Sequence, residues 1–97
     1  MAFYAIINEK ENKHMSYASD VREKLVDRAA KLLGINPEEI KDEMTLEGDL
    51  ALKSTQITQI TTYLEDEFDV EVPFMNFRRQ KTVGACVDFV ADILENE

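Results

Sequence analysis

Along the chain, apolar residues recur at helical rather than strand spacing. Val21, Leu25, Ala29 and Leu32 or Leu33 stand three and four apart, with Arg22, Glu23, Asp27, Arg28 and Lys31 between them, which marks an amphipathic helix. Ser19 or Asp20 can cap it and Gly34 closes it, so this first helix is predicted over roughly 20–33. Asn36 to Glu39 reads as one short turn with Asn36 as cap, Pro37 at the first position and Glu39 at the third, between Ile35 and Ile40. Lys41 to Lys53 is then loop. A loop of that length needs pinning, and Met44, Leu46, Leu50 and Leu52 are the apolar residues available to pack it across the bundle.

Ile57, Ile60, Leu64 and Phe68 place a second helix over Ser54 to Phe68. Thr55, Ile57, Thr58, Ile60, Thr61 and Thr62 are β-branched, each weakening it by roughly a few tenths of a kcal/mol, so burial has to hold it. Pro73 opens a short element with Phe74, Met75 and Phe77, ahead of the basic run Arg78-Arg79-Gln80-Lys81. A last helix starts near Thr82, with Val83, Val87, Val90 and Leu94 as its stripe and Cys86, Phe89 and Ile93 widening it. The expected fold is all-α: a four-helix bundle with three main helices, a short third helix and a long first loop.

Length and composition narrow what such a bundle can do. The 97 residues make one domain, too small for a cleft between two lobes, and 44% hydrophobic with 32% charged residues describes a folded chain. A net charge of −9 repels nucleic acid and anionic membrane, and favours protein partners with basic patches. One cysteine and no apolar run of membrane-spanning length point to a reducing, cytoplasmic setting. Residues 1–15 read as an extension or tag ahead of a domain at 16–97: the segment lacks the features of a secretion signal, while Met15 could be an alternative start and His14-Met15 a cloning scar.

Catalytic and metal chemistry find little support. Gly34, Gly48 and Gly84 are too far apart for a phosphate loop. His14 and Cys86 are single residues in different segments, read as a solvated side chain and a core filler, so no metal site is expected. Glu65, Asp66, Glu67, Asp69 and Glu71 read as a solvated face without the ligand spacing of a calcium loop. No buried carboxylate pair is foreseen, and the chain is expected not to be an enzyme. Ser54 remains, with two readings by position: an N-cap whose oxygen satisfies a first-turn amide, or a hydroxyl carrying a phosphate ester where a helix start favours an anion.

Asp49-Leu50-Ala51-Leu52-Lys53-Ser54-Thr55, then Leu64-Glu65-Asp66-Glu67-Phe68-Asp69, then Val72-Pro73 and Thr82-Val83 with Ala85, Val87, Asp88 and Phe89, together resemble the acyl carrier proteins. In that family a long first loop leads to an attachment serine within Asp-Leu-Gly-Xaa-Asp-Ser-Leu, and the second helix closes in Leu-Glu-Glu-Glu-Phe. The similarity covers roughly residues 20–94. It implies that Ser54 bears a 4′-phosphopantetheine arm, transferred from coenzyme A by a phosphopantetheinyl transferase. The arm's thiol would hold an acyl or aminoacyl group as a thioester for acyl-loading and acyl-processing enzymes of a lipid, polyketide or related pathway. Cargo would rest partly against the core, in a channel lined by Ile57, Ile60 and Val83.

Departures from the pattern set further expectations. Lys53 stands where the family has aspartate, Thr55 where it has leucine, and Gln56 and Gln59 where it has acids. From 74 to 81 the usually acidic third element holds Phe74, Met75, Asn76, Phe77, Arg78 and Arg79, and sums to three positive charges. Such a surface should avoid enzymes with basic docking patches. It suggests a monomeric carrier for a dedicated pathway, contacting partners through Lys53, Gln56, Gln59, Phe74, Met75, Arg78 and Arg79, although Phe77 is expected in the core. The other reading is a carrier-like docking module in which Ser54 is only a cap and no arm is attached.

Overall fold

The computed structural model describes residues 2–96, with side chains from Tyr17 onward. Its elements are α1 (Ala2–Leu33), a 3-10 turn (Pro37–Glu39), α2 (Ser54–Phe68), α3 (Phe74–Arg79) and α4 (Val83–Glu95), giving the all-α arrangement of three long helices and a short third one. α1 packs against α2 and α4, and α3 bridges α2 and α4. The first helix begins well before residue 20. Ser19 and Asp20 are interior helical positions, not caps, because no proline or glycine interrupts the chain before Gly34. Gly34 takes the left-handed conformation, φ 71°, and its N–H donates to Ala30 O at 2.8 Å, closing α1 as predicted.

The predicted stripes meet in one core. Val21, Leu25 and Ala29 of α1, Ile57, Ile60 and Leu64 of α2, Phe77 of α3, and Val83, Cys86, Val87 and Val90 of α4 are fully buried. At about 1.5–3 kcal/mol for each large side chain buried, this outweighs the weak helix propensity of α2. Its threonines also find local partners, since Thr61 Oγ1 donates to Thr58 O and Thr58 Oγ1 to Ser54 O, both at 2.9 Å. α2 ends at Asp69, left-handed at φ 56°, where Val72 N–H donates to Glu65 Oε2 at 2.8 Å.

The long loop is held throughout by side chains and backbone. Leu46, Leu50 and Leu52 are buried and Met44 is half-buried, so the four apolar residues do pin it. Met44 O accepts from Val83 N–H and Asp42 O from Gly84 N–H, both at 2.9 Å, while Leu46 N–H donates to Lys81 O at 2.8 Å. Thr45 and Asp49 bond reciprocally through backbone N–H and side-chain oxygen, at 3.0 and 2.8 Å. Two bidentate ion pairs fasten the loop from outside: Arg22 of α1 grips Asp42 at 3.1 and 2.6 Å, and Arg78 of α3 grips Glu47 at 2.7 and 3.0 Å. Exposed pairs contribute no more than about 1 kcal/mol each, so the leucines carry most of the holding energy.

Candidate functional site at the start of the second helix

The loop delivers Ser54 to the first turn of α2. Lys53 precedes it in an extended conformation, φ −87° and ψ 161°, and takes the cap position. Lys53 N–H donates to Gln56 Oε1 at 2.8 Å, so the side chain at the third helical position folds back over the entry. Ser54 is therefore the first helical residue, not the cap. Its side chain is exposed, and its Oγ has no hydrogen-bond partner among the described residues. The capping role open to it in the sequence is not used, and the hydroxyl is left available.

The two principal helix starts differ in a way that matters for an anion. At α4, loop carbonyls accept from Val83 and Gly84, and Thr82 Oγ1 accepts from Ala85 N–H at 3.2 Å, so the first-turn donors are occupied. At α2 the first intrahelical bond runs from Ile57 N–H to Lys53 O, 2.9 Å, leaving the amides of Ser54, Thr55 and Gln56 without an intrahelical acceptor. The exposed Lys53 ammonium, with no ion-pair partner among the described residues, adds a positive charge beside them. The donors suit a singly charged phosphodiester on Ser54.

Other predicted site residues divide sharply. Gln59 is exposed on α2, whereas Gln56 is half-buried and engaged with Lys53. Phe77 lies in the core, as expected, and Phe74 is half-buried with the Arg78 guanidinium 6.0 Å from its ring centre. Arg78 is half-buried and paired with Glu47, and that hydrogen bond also keeps the Glu47 carboxyl below its usual range. Met75 and Arg79 point outward. Glu47 is the residue that sequence reasoning missed, and no local spacing links it to Arg78 across 31 positions.

Cys86 is buried, donates weakly to Phe77 O at 3.4 Å, and burial pushes its thiol up to about 12, the environment of a packing residue. His14 lies outside the described side chains. No group of three or more His, Cys, Asp or Glu able to hold a metal occurs among the described residues. Ile57, Ile60 and Val83, the residues expected to line a cargo channel, have no solvent exposure, because the stripes of α1, α2 and α4 fill the space between them. An open groove of about 610 Å³ between α1 and α4, bordered by Ala18, Phe89 and Asp92, contains none of the predicted site residues.

The bundle's long, pinned loop thus ends in an unengaged serine at an open helix start, an arrangement in keeping with a carrier-type domain. Residues 23–90 match the family described as phosphopantetheine attachment site. Acyl carrier proteins of Wolinella succinogenes, Chlorobium phaeobacteroides and a Sulfurovum species are 30%, 29% and 28% identical to it. The alignments cover 78%, 74% and 81% of this chain and 95%, 92% and 100% of those relatives. The chain belongs to the acyl carrier protein family. Membership implies a covalently attached 4′-phosphopantetheine group, and interaction with a phosphopantetheinyl transferase and with acyl-processing enzymes.

Proposed function

We propose that Ser54 is the attachment residue, and that the chain is a cytoplasmic, monomeric carrier for a dedicated lipid, polyketide or related pathway, with no catalytic activity of its own. The observation that supports this best is the exposed Ser54 Oγ, without a hydrogen-bond partner among the described residues, at the first position of α2. When bound, the group supplies a terminal thiol on which an acyl or aminoacyl unit is carried as a thioester. The protein's part is presentation. Ser54 offers its hydroxyl, the amides of Ser54 to Gln56 and the Lys53 ammonium stabilise the negative charge then placed there, and Leu50 and Leu52 anchor the approach.

A dedicated pathway is favoured by the surface around this point. Lys53 and Gln59 at the exposed start of α2, and Met75 and Arg79 on α3, each give their helix an uncharged to basic zone on a chain of net charge −9. Such a zone selects against partners with basic docking faces. No helix among the described residues is long and apolar enough to cross a membrane.

Intact mass after incubation with coenzyme A and a broad-specificity transferase tests the central point. The expected outcome is a gain of one phosphopantetheine group, mapped to Ser54 and lost in Ser54→Ala. No gain with any transferase tried would leave only a docking module.

A further inference from the structure

α3 has six residues, and their side chains are used very differently. Phe77 anchors the helix in the core, and the Phe74–Arg78 row is tied down by Glu47. Met75 and Arg79, one turn apart, form the remaining row. Met75 is 55% exposed, the one large apolar side chain so open among the described residues. Arg79 is exposed and has no ion-pair or hydrogen-bond partner among the described residues, although the chain has 20 carboxylates to 11 cations.

We propose that the Met75–Arg79 row docks a partner protein presenting carboxylates around an apolar socket, the partner being an acyl-loading or acyl-processing enzyme. This rests on the carrier reading above. Methionine and arginine are both enriched in interface cores, the first adaptable in packing and the second able to grip a carboxylate with two hydrogen bonds. Charge makes the row directional. An acidic enzyme is repelled by Asp66, Asp69 and Glu71, and finds attraction where Arg79 and Lys81 are unpaired, so it is steered to α3. α3 packs on α2, the helix that Ser54 opens. An anionic bilayer fits less well, because one exposed methionine supplies little apolar area to insert.

The test uses the full chain, with and without the arm as verified by intact mass, and the acyl-loading and acyl-processing enzymes encoded beside its gene as individual probes. Calorimetric binding is compared for wild type, Arg79→Glu, Met75→Ser and the control Lys31→Glu on the exposed end of α1, each checked for unchanged circular dichroism. Arg79→Glu is expected to weaken binding about tenfold or more, with steep salt dependence in the wild type. Met75→Ser should weaken it severalfold, and Lys31→Glu not at all. A Glu→Lys change on the enzyme's acidic face should restore binding to Arg79→Glu.

Binding indifferent to both row variants, or no binding by any of these enzymes, overturns the proposal. So does wild-type binding to vesicles of equal phosphatidylserine and phosphatidylcholine that the row variants abolish, which would assign the row to a membrane. Failure of Ser54 loading with the row dependence intact would instead refute the carrier reading alone.

Discussion

Ala51 occupies the left-handed region at φ 54°, three residues before Ser54 and at the position where the related pattern has glycine. A side chain there costs roughly 1–2 kcal/mol, because Cβ crowds the following carbonyl. Ala51→Gly removes that strain and at the same time frees the unfolded chain, which opposes it by roughly 0.5–1 kcal/mol. The net expectation is a gain of about 0.5–1 kcal/mol, or roughly 2–8 °C in melting temperature for a domain of this size. Ala51 is exposed, so no packing is lost. The sign is diagnostic: Ala91→Gly in the body of α4 should lose about 1–2 kcal/mol, the helix propensity cost together with the buried methyl. Urea unfolding followed by circular dichroism measures both. If Ala51→Gly were destabilising at unchanged denaturant slope, residue 51 would not be left-handed. The path that turns Leu52 inward and brings Ser54 to the head of α2 would then be wrong.

Other consequences follow from single contacts. Leu46→Ala should cost about 2–5 kcal/mol by urea unfolding, since Leu46 is almost fully buried; a loss confined to hydrogen exchange within the loop would show that the loop is not part of the core. Ser54→Ala should change stability by less than about 0.5 kcal/mol, because Ser54 makes no cap bond, whereas Thr82→Ala should cost about 0.5–2 kcal/mol. Equal costs on thermal melting would refute that assignment. Burial raises the Cys86 thiol from 9.0 to about 12. Between those values the unfolded chain has released a proton that the folded chain retains, so the stabilisation present below pH 9 is lost as pH rises toward 12. Cys86→Ala should be less stable but show a flatter profile in that window, and an identical slope would count against the shift.

Much of this architecture could be read from spacing, and the exceptions share a cause. The bounds of α2, the start of α4 near Thr82, the loop leucines and the buried Phe77 all follow from local periodicity or residue preference, and tertiary packing reinforces them. Ser19 and Asp20 misled because a capping side chain marks a boundary only if the chain upstream leaves the helix, and nothing between Ala2 and Leu33 compels that. Ser54 misled by one position, since Lys53 cannot cap with its side chain but has its N–H met by Gln56. The Arg78–Glu47 fork was invisible because it depends on the folded path of the loop, and it decides which arginine is left facing solvent.

The backbone bonds joining Asp42, Met44 and Leu46 to Lys81, Val83 and Gly84 connect the approach to Ser54 with a segment made much later in the chain. During synthesis, Ser54 emerges well before the strand of chain that holds its loop in place. On the proposed carrier reading, a transferase that recognises the held loop acts on finished molecules, and incomplete or misfolded copies stay out of acyl traffic. A chain truncated before Val83 should accordingly gain no arm by mass, and efficient loading of it would refute this. On that reading the loop would act as a folding checkpoint as well as a mount for the serine.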